Sequence, residues 1–125
     1  MEKINLYSKK YHCGIYKITN NLNGKSYIGQ STQIEKRINY HKRQGKSKNK
    51  PQLPLYIDMH KYGIDNFNYE ILELCNIDEL DNKQKYWISF YNTRIPNGYN
   101  NYTQNNFKPI KAKCIVNDLE TLSKN

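Results

Sequence analysis

Three cysteines in 125 residues, Cys13, Cys75 and Cys114, stand far apart, and no CxxC pair occurs. That spacing excludes a small zinc module and a disulfide framework, and it fits thiols kept in a reducing compartment. No apolar run approaches the roughly 18 residues of a membrane span. The opening MEKINLYSKK also lacks the apolar stretch of a secretory signal. The expected setting is therefore the cytoplasm, with no membrane contact; no small-molecule cofactor is expected. Acid is scarce too. Eleven Asp and Glu face twenty Lys and Arg, for a formal net charge of +9. Such an excess attracts polyanions, of which nucleic acid is the commonest.

The apolar content is low, at 37%, but twelve residues are tyrosines, each bringing a ring to a core and a hydroxyl to its edge. One domain with a modest core fits this length. It is expected over residues 11–103, with an N-terminal extension at 1–10 and a tail, or the stub of a further module, at 104–125.

YHCGIYKIT (11–19) alternates as a strand does, NNLNG (20–24) is turn chemistry, and KSYIGQS returns as a second strand. STQIEKRINYHKRQG follows with a Ser/Thr cap, Ile34 and Ile38 four apart, and a stop at Gly45, which predicts a helix. LPLYIDMHKYG predicts a second helix through Leu55, Met59 and Tyr62. NFNYEILEL (66–74) alternates Phe67, Tyr69 and Ile71 as a third strand. NIDELDNKQKYWISFYN predicts a third helix that turns Ile77, Leu80, Trp87, Ile88 and Tyr91 inward. The order is β-β-α-α-β-α, an α/β (α+β) class in which helices must cover a sheet too small to bury much alone.

Gly14-Ile15-Tyr16 and Tyr27-Ile28-Gly29 are near mirror images on neighbouring strands, so the hairpin brings Tyr16 and Tyr27 together. Arg37 and His41, four apart, share a face of the first helix. Gln84 sits on the inward face of the third, where an unpaired amide costs about 1–3 kcal/mol. Arg suits phosphate through its fork of donors, and His and Tyr can handle protons. Together these side chains could surround one phosphodiester.

At these residues the sequence resembles the GIY-YIG nuclease family. The resemblance spans roughly residues 11 to 101 and continues through KYGIDNFNYEILE, KYWISFYN and NGYN. It is most like the catalytic domains of phage and intron homing endonucleases. It implies a central three-stranded antiparallel sheet flanked by helices, and hydrolysis of DNA phosphodiesters with one Mg2+ or Mn2+. Carried over, Tyr16 and Tyr27 line the site, and Tyr16, Tyr27 or His41 serves as general base. Arg37 stabilises charge on the phosphate, and Asn100 orients site groups. Gly29 lets a backbone pass close, and Lys36, Lys48 and Lys50 offer phosphate contacts.

One position departs from the family pattern. The metal-binding Glu three residues before the Trp is here Gln84, which keeps shape and one acceptor oxygen but loses the charge a hard cation favours. Asp81, one turn earlier and shorter, is not expected to replace it. The expectation is a metal-dependent DNA endonuclease domain impaired at Gln84. The alternative is a noncatalytic DNA-binding module derived from a nuclease.

Overall fold

The computed structural model describes residues 11–101, so the expectations for 1–10 and 104–125 lie outside the described residues. The elements are β1 (Gly14–Asn20), β2 (Ser26–Ser31), α1 (Ile34–Lys46), α2 (Pro54–Tyr62), β3 (Phe67–Leu74) and α3 (Leu80–Tyr91). Single 3-10 turns precede β3 and α3, at Ile64–Asn66 and Ile77–Glu79. The sheet is antiparallel in the order β2-β1-β3, which leaves β2 as an edge strand. Among the described residues no helix is long and apolar enough to cross a membrane.

The β1–β2 turn is held by its own side chains. Asn20 Oδ1 accepts the Leu22 N–H and Asn23 Oδ1 accepts the Lys25 N–H, both at 2.9 Å. Such short Asx turns are the reason Asn crowds this loop.

Alternation along β1 then sorts the core into two layers. Tyr16 and Ile18 join Ile34, Leu55, Tyr56, Met59 and Phe67 beneath α1 and α2. On the opposite face Ile15 and Ile28 pack against Leu80 and Ile88 of α3.

Three local expectations shift. α1 begins at Ile34 rather than directly after a Ser/Thr cap, because Ser31 Oγ accepts the Gln33 N–H and holds the approach. Along β3 the alternation breaks at a bulge opposite Ile15 and Tyr16, so Ile71 is 40% exposed and Leu72 packs instead on the α3 side. Ile77 and Tyr91, expected to face inward, do not. Ile77 falls in the 3-10 turn that the Asn76–Glu79 capping box builds, and Tyr91 stacks on Trp87 beneath the Lys17 ammonium, 3.8 Å from its ring.

Candidate active site

The register of the hairpin sets Tyr16 opposite Gly29 and Ile18 opposite Tyr27. Tyr16 and Tyr27 therefore share the α1 side of the sheet as diagonal neighbours, with ring centroids 6.3 Å apart. Each glycine of the mirrored triplets answers a contact. A Cβ on Gly29 would fall 2.2 Å from Tyr16 Cζ, so the space above this residue is the seat of the Tyr16 ring. A Cβ on Gly14 would fall 2.1 Å from the Glu73 carbonyl oxygen, where β3 closes in beside its bulge. Gly29 thus makes room for the side chain of Tyr16, where the sequence suggested the close passage of a backbone.

Only Thr32 and Gln33 separate β2 from α1, so the helix returns directly over the tyrosines. His41, buried on its inner face, lies with its ring 5.6 Å from that of Tyr16 and 5.5 Å from that of Tyr27. Its Nε2 pairs with the Tyr16 hydroxyl at 2.7 Å. Its Nδ1 pairs with the Tyr56 hydroxyl, presented by α2, at 2.8 Å. Both ring nitrogens are thereby engaged. Arg37, one turn earlier, sits over the Tyr40 ring at 4.6 Å.

A cleft of about 160 Å³ opens in front of this cluster, lined by Tyr27, Arg37, His41, Tyr56, Tyr99, Asn101 and residues 53–55. Tyr16 does not line it; at 1% exposure it stands behind Tyr27 and His41.

Burial governs the electrostatics. It pushes the Tyr16 and Tyr27 hydroxyls above their ordinary values, with Arg37 pulling weakly the other way on both. Tyr56 is pushed up to about 12 by burial and, next, by neighbouring Tyr40. His41 is held down to about 4 by burial and then by the Arg37 charge, so its imidazole is neutral at physiological pH. Burial opposes the charge of Arg37, but the phenolic oxygens of Tyr16 and Tyr27 outweigh it and the guanidinium stays protonated.

The edge strand is closed from outside by two amides. Asn100, fully buried, accepts the Ile28 N–H on Oδ1 at 2.8 Å and donates from Nδ2 to the Ile28 carbonyl at 3.0 Å. Its side chain copies the two bonds a neighbouring strand would make. Thr93 Oγ1 donates to the same Oδ1 at 2.7 Å and fixes the amide. From the other face, Gln84 Nε2 also donates to the Ile28 carbonyl, at 3.0 Å. Ile28 lies between Tyr27 and Gly29, so both amides hold the strand that carries the site.

The other end of Gln84 bears on the metal expectation. Gln84 Oε1 and Asp81 Oδ1 both accept from Gln30 Nε2, at 2.8 and 2.7 Å. Two side-chain oxygens, the ligand type a hard cation favours, thus converge on the Gln30 amide with one negative charge between them. Among the described residues no group of three His, Cys, Asp or Glu side chains could hold a metal.

The structure therefore gathers Tyr16, Tyr27, Arg37 and His41 under α1, and places Gln84 and Asn100 on the β2 edge. Lys36, Lys48 and Lys50 are exposed, and none of them lines the cleft. Sequence reasoning passed over Tyr56, Tyr99, Gln30 and the reach of Asp81. For Tyr56 a signal existed, since it lies three residues before Met59 and so shares the inward face of α2. Tyr99 donates to Asp58 Oδ2 at 2.6 Å and accepts from Asn20 Nδ2 at 3.1 Å, which anchors the NGYN loop. No local pattern announced those long-range partners.

This fold and this cluster define a small α+β domain of the nuclease class. Residues 12–100 match the family model of the GIY-YIG catalytic domain, and the chain belongs to the GIY-YIG family. Two solved structures are similar to it. One is a point mutant of the catalytic domain of intron endonuclease I-TevI, 33% identical, covering 71% of this chain and 92% of that one with a TM-score of 0.63. The other is the catalytic domain of homing endonuclease I-TevI, 32% identical, covering 70% of this chain and 96% of that one with a TM-score of 0.63. None of the curated proteins compared matches the chain.

Proposed function

We propose that the protein is a divalent-metal-dependent endonuclease that hydrolyses DNA phosphodiesters, of the homing-endonuclease type, with its activity held low by Gln84. The observation that carries this reading is the buried Tyr16–His41–Tyr56 cluster beside an arginine-lined cleft, within a GIY-YIG fold. The net charge of +9 supports a polyanionic substrate.

In this reading Arg37 binds the scissile phosphate at the cleft and stabilises the charge that grows on it. Tyr27 faces the cleft and touches the attacking water, while His41, which also lines the cleft but has both nitrogens engaged, acts through the Tyr16 and Tyr56 hydroxyls. Asn100 keeps β2 straight beneath them. Asp81 and Gln84 would hold Mg2+ or Mn2+ through their oxygens. When bound, such an ion supplies positive charge to the phosphate and makes the water more acidic. Exposed Lys36, Lys48 and Lys50 contact flanking phosphates, which position the duplex without reading bases.

A second reading has its own observation. Gln84 spends its Nε2 on the Ile28 carbonyl and its Oε1 on Gln30, as a structural brace does. A noncatalytic DNA-binding module would look like this. Plasmid nicking in Mg2+ and in Mn2+, comparing the chain with Gln84→Glu, separates the two. Faster nicking by the Glu form supports the nuclease; salt-sensitive binding without nicking by either form supports the module.

A further inference from the structure

None of the three groups expected as general base is well suited to the task alone. His41 has no free nitrogen to offer a water, because Nε2 meets Tyr16 and Nδ1 meets Tyr56. Tyr16 is buried behind the cleft. Tyr27 reaches the cleft, but burial raises its hydroxyl, so a lone Tyr27 phenolate is costly. The arrangement makes sense if the proton does not stop on any one of them.

We propose that Tyr56 is the outlet of a proton relay, Tyr27–Tyr16–His41–Tyr56, which carries the proton of the attacking water through the buried cluster and back out to the cleft. The inference rests on the nuclease reading above. Both ends of the relay, Tyr27 and Tyr56, line the cleft; of the middle members Tyr16 does not, and His41 reaches it with both ring nitrogens already bonded to hydroxyls. The Tyr16 and Tyr27 rings are neighbours on the same side of the sheet, with centroids 6.3 Å apart. Hydroxyls both donate and accept, and a neutral imidazole donates at one nitrogen while accepting at the other, so each member can take one proton as it gives one.

The step balances. The water O–H bond breaks and its proton passes to Tyr27 Oη, whose own proton passes to Tyr16 Oη. The Tyr16 proton moves to His41 Nε2, the His41 Nδ1 proton moves to Tyr56 Oη, and the Tyr56 proton leaves to water in the cleft. The electron pair freed on the attacking oxygen forms the new P–O bond. The leaving oxygen departs with its own pair and is protonated by solvent. Every relay member ends neutral, with the imidazole in its other tautomer, and reverse transfer between turnovers restores the start. No strongly acidic or basic side chain is required.

Tyr56 is thus a positioning residue for His41 as well as a proton carrier, and Tyr56→Phe tests it while keeping the ring. The parent is whichever of the given chain and Gln84→Glu nicks plasmid DNA. In the parent, the nicking rate plotted against deuterium fraction is expected to curve, as several protons in flight require. In Tyr56→Phe the rate should fall about 100-fold or more with the curvature reduced and DNA affinity unchanged. The 15N signals of His41 should report a changed tautomer balance. Equal nicking by parent and Tyr56→Phe, or a linear deuterium dependence in the parent itself, overturns the relay and leaves the nuclease reading standing. The second of these needs no variant, so it decides the matter even if Tyr56→Phe does not fold. If neither parent form cuts DNA, the nuclease reading falls and takes the relay with it.

Discussion

The Tyr16 ring rests on Gly29: its Cζ stands 2.2 Å, and its hydroxyl oxygen 2.3 Å, from where a Cβ at residue 29 would be. A hydrogen atom at this position therefore lets Tyr16 reach His41. Gly29→Ala forces the ring away from the sheet and strains the 2.7 Å bond to Nε2. Overpacking of this kind costs about 1–3 kcal/mol. Urea unfolding should show that loss, with nicking falling further than stability accounts for. An alanine variant as stable and as active as its parent would mean that Tyr16 has another place to go.

Gln84→Glu pits two effects against each other. The variant loses the N–H that bonds the Ile28 carbonyl and sets a carboxylate against that oxygen, so it should be less stable by about 1–3 kcal/mol. It gains a second negative charge beside Asp81, so Mn2+ binding, followed by the loss of the free-ion EPR signal, should strengthen at least tenfold. Stability and metal affinity moving in opposite directions is the distinctive result. Both rising together would show that Gln84 does not brace Ile28.

Asp81→Asn asks which oxygen carries the charge in the chain as it stands. Its Oδ1 and the Gln84 Oε1 meet the same Gln30 nitrogen. If that point takes the cation, the variant loses Mn2+ binding outright, while its thermal midpoint changes little because Asp81 is exposed. Unchanged Mn2+ binding would place the ion elsewhere.

The six main elements and their order were legible because each carries its own local signal: alternation in β1, a proline at the first position of α2, an Asn76–Glu79 capping box before α3. Tyr16, Tyr27, Arg37 and His41 were legible as a group because a hairpin and an immediate helix leave little freedom in where they meet. What sequence could not supply was partnership across distance. Asn100 bonds Ile28, and Gln30 bonds both Asp81 and Gln84, through contacts that only the packed sheet creates. The β3 bulge likewise depends on its neighbour, so its shift of Ile71 and Leu72 had no local sign.

His41 makes stability depend on pH in a definite direction. Its unfolded value is near 6.5 and its folded value about 4, so between these the unfolded chain binds more protons. Stability is full above about pH 6.5 and is lost as the pH falls toward 4. A gap of that size is worth about 3 kcal/mol once fully expressed. Urea midpoints from pH 7.5 down to 4 should show this decline, and His41→Gln should flatten it. A parent slope that persists in the variant would assign the effect to other groups.

The Ile28 carbonyl offers the sharpest test of how the edge strand is held, because two amides donate to it, Asn100 Nδ2 and Gln84 Nε2, each at 3.0 Å. Removing either leaves the other, so at this carbonyl Gln84→Ala should cost only one bond, about 1 kcal/mol. Asn100→Ala should cost more, since it also strips the Ile28 N–H and the Thr93 hydroxyl of their acceptor. With both gone, a carbonyl on a fully buried residue has lost both side-chain donors. The double variant should therefore lose more than the sum of the singles, by at least about 0.5 kcal/mol in a double-mutant cycle. Simple additivity would mean that water replaces the amides at the β2 edge, and that the strand carrying Tyr27 and Gly29 is held by its pairing with β1, the Tyr99 N–H on the Ser26 carbonyl and the packing of Ile28 on α3.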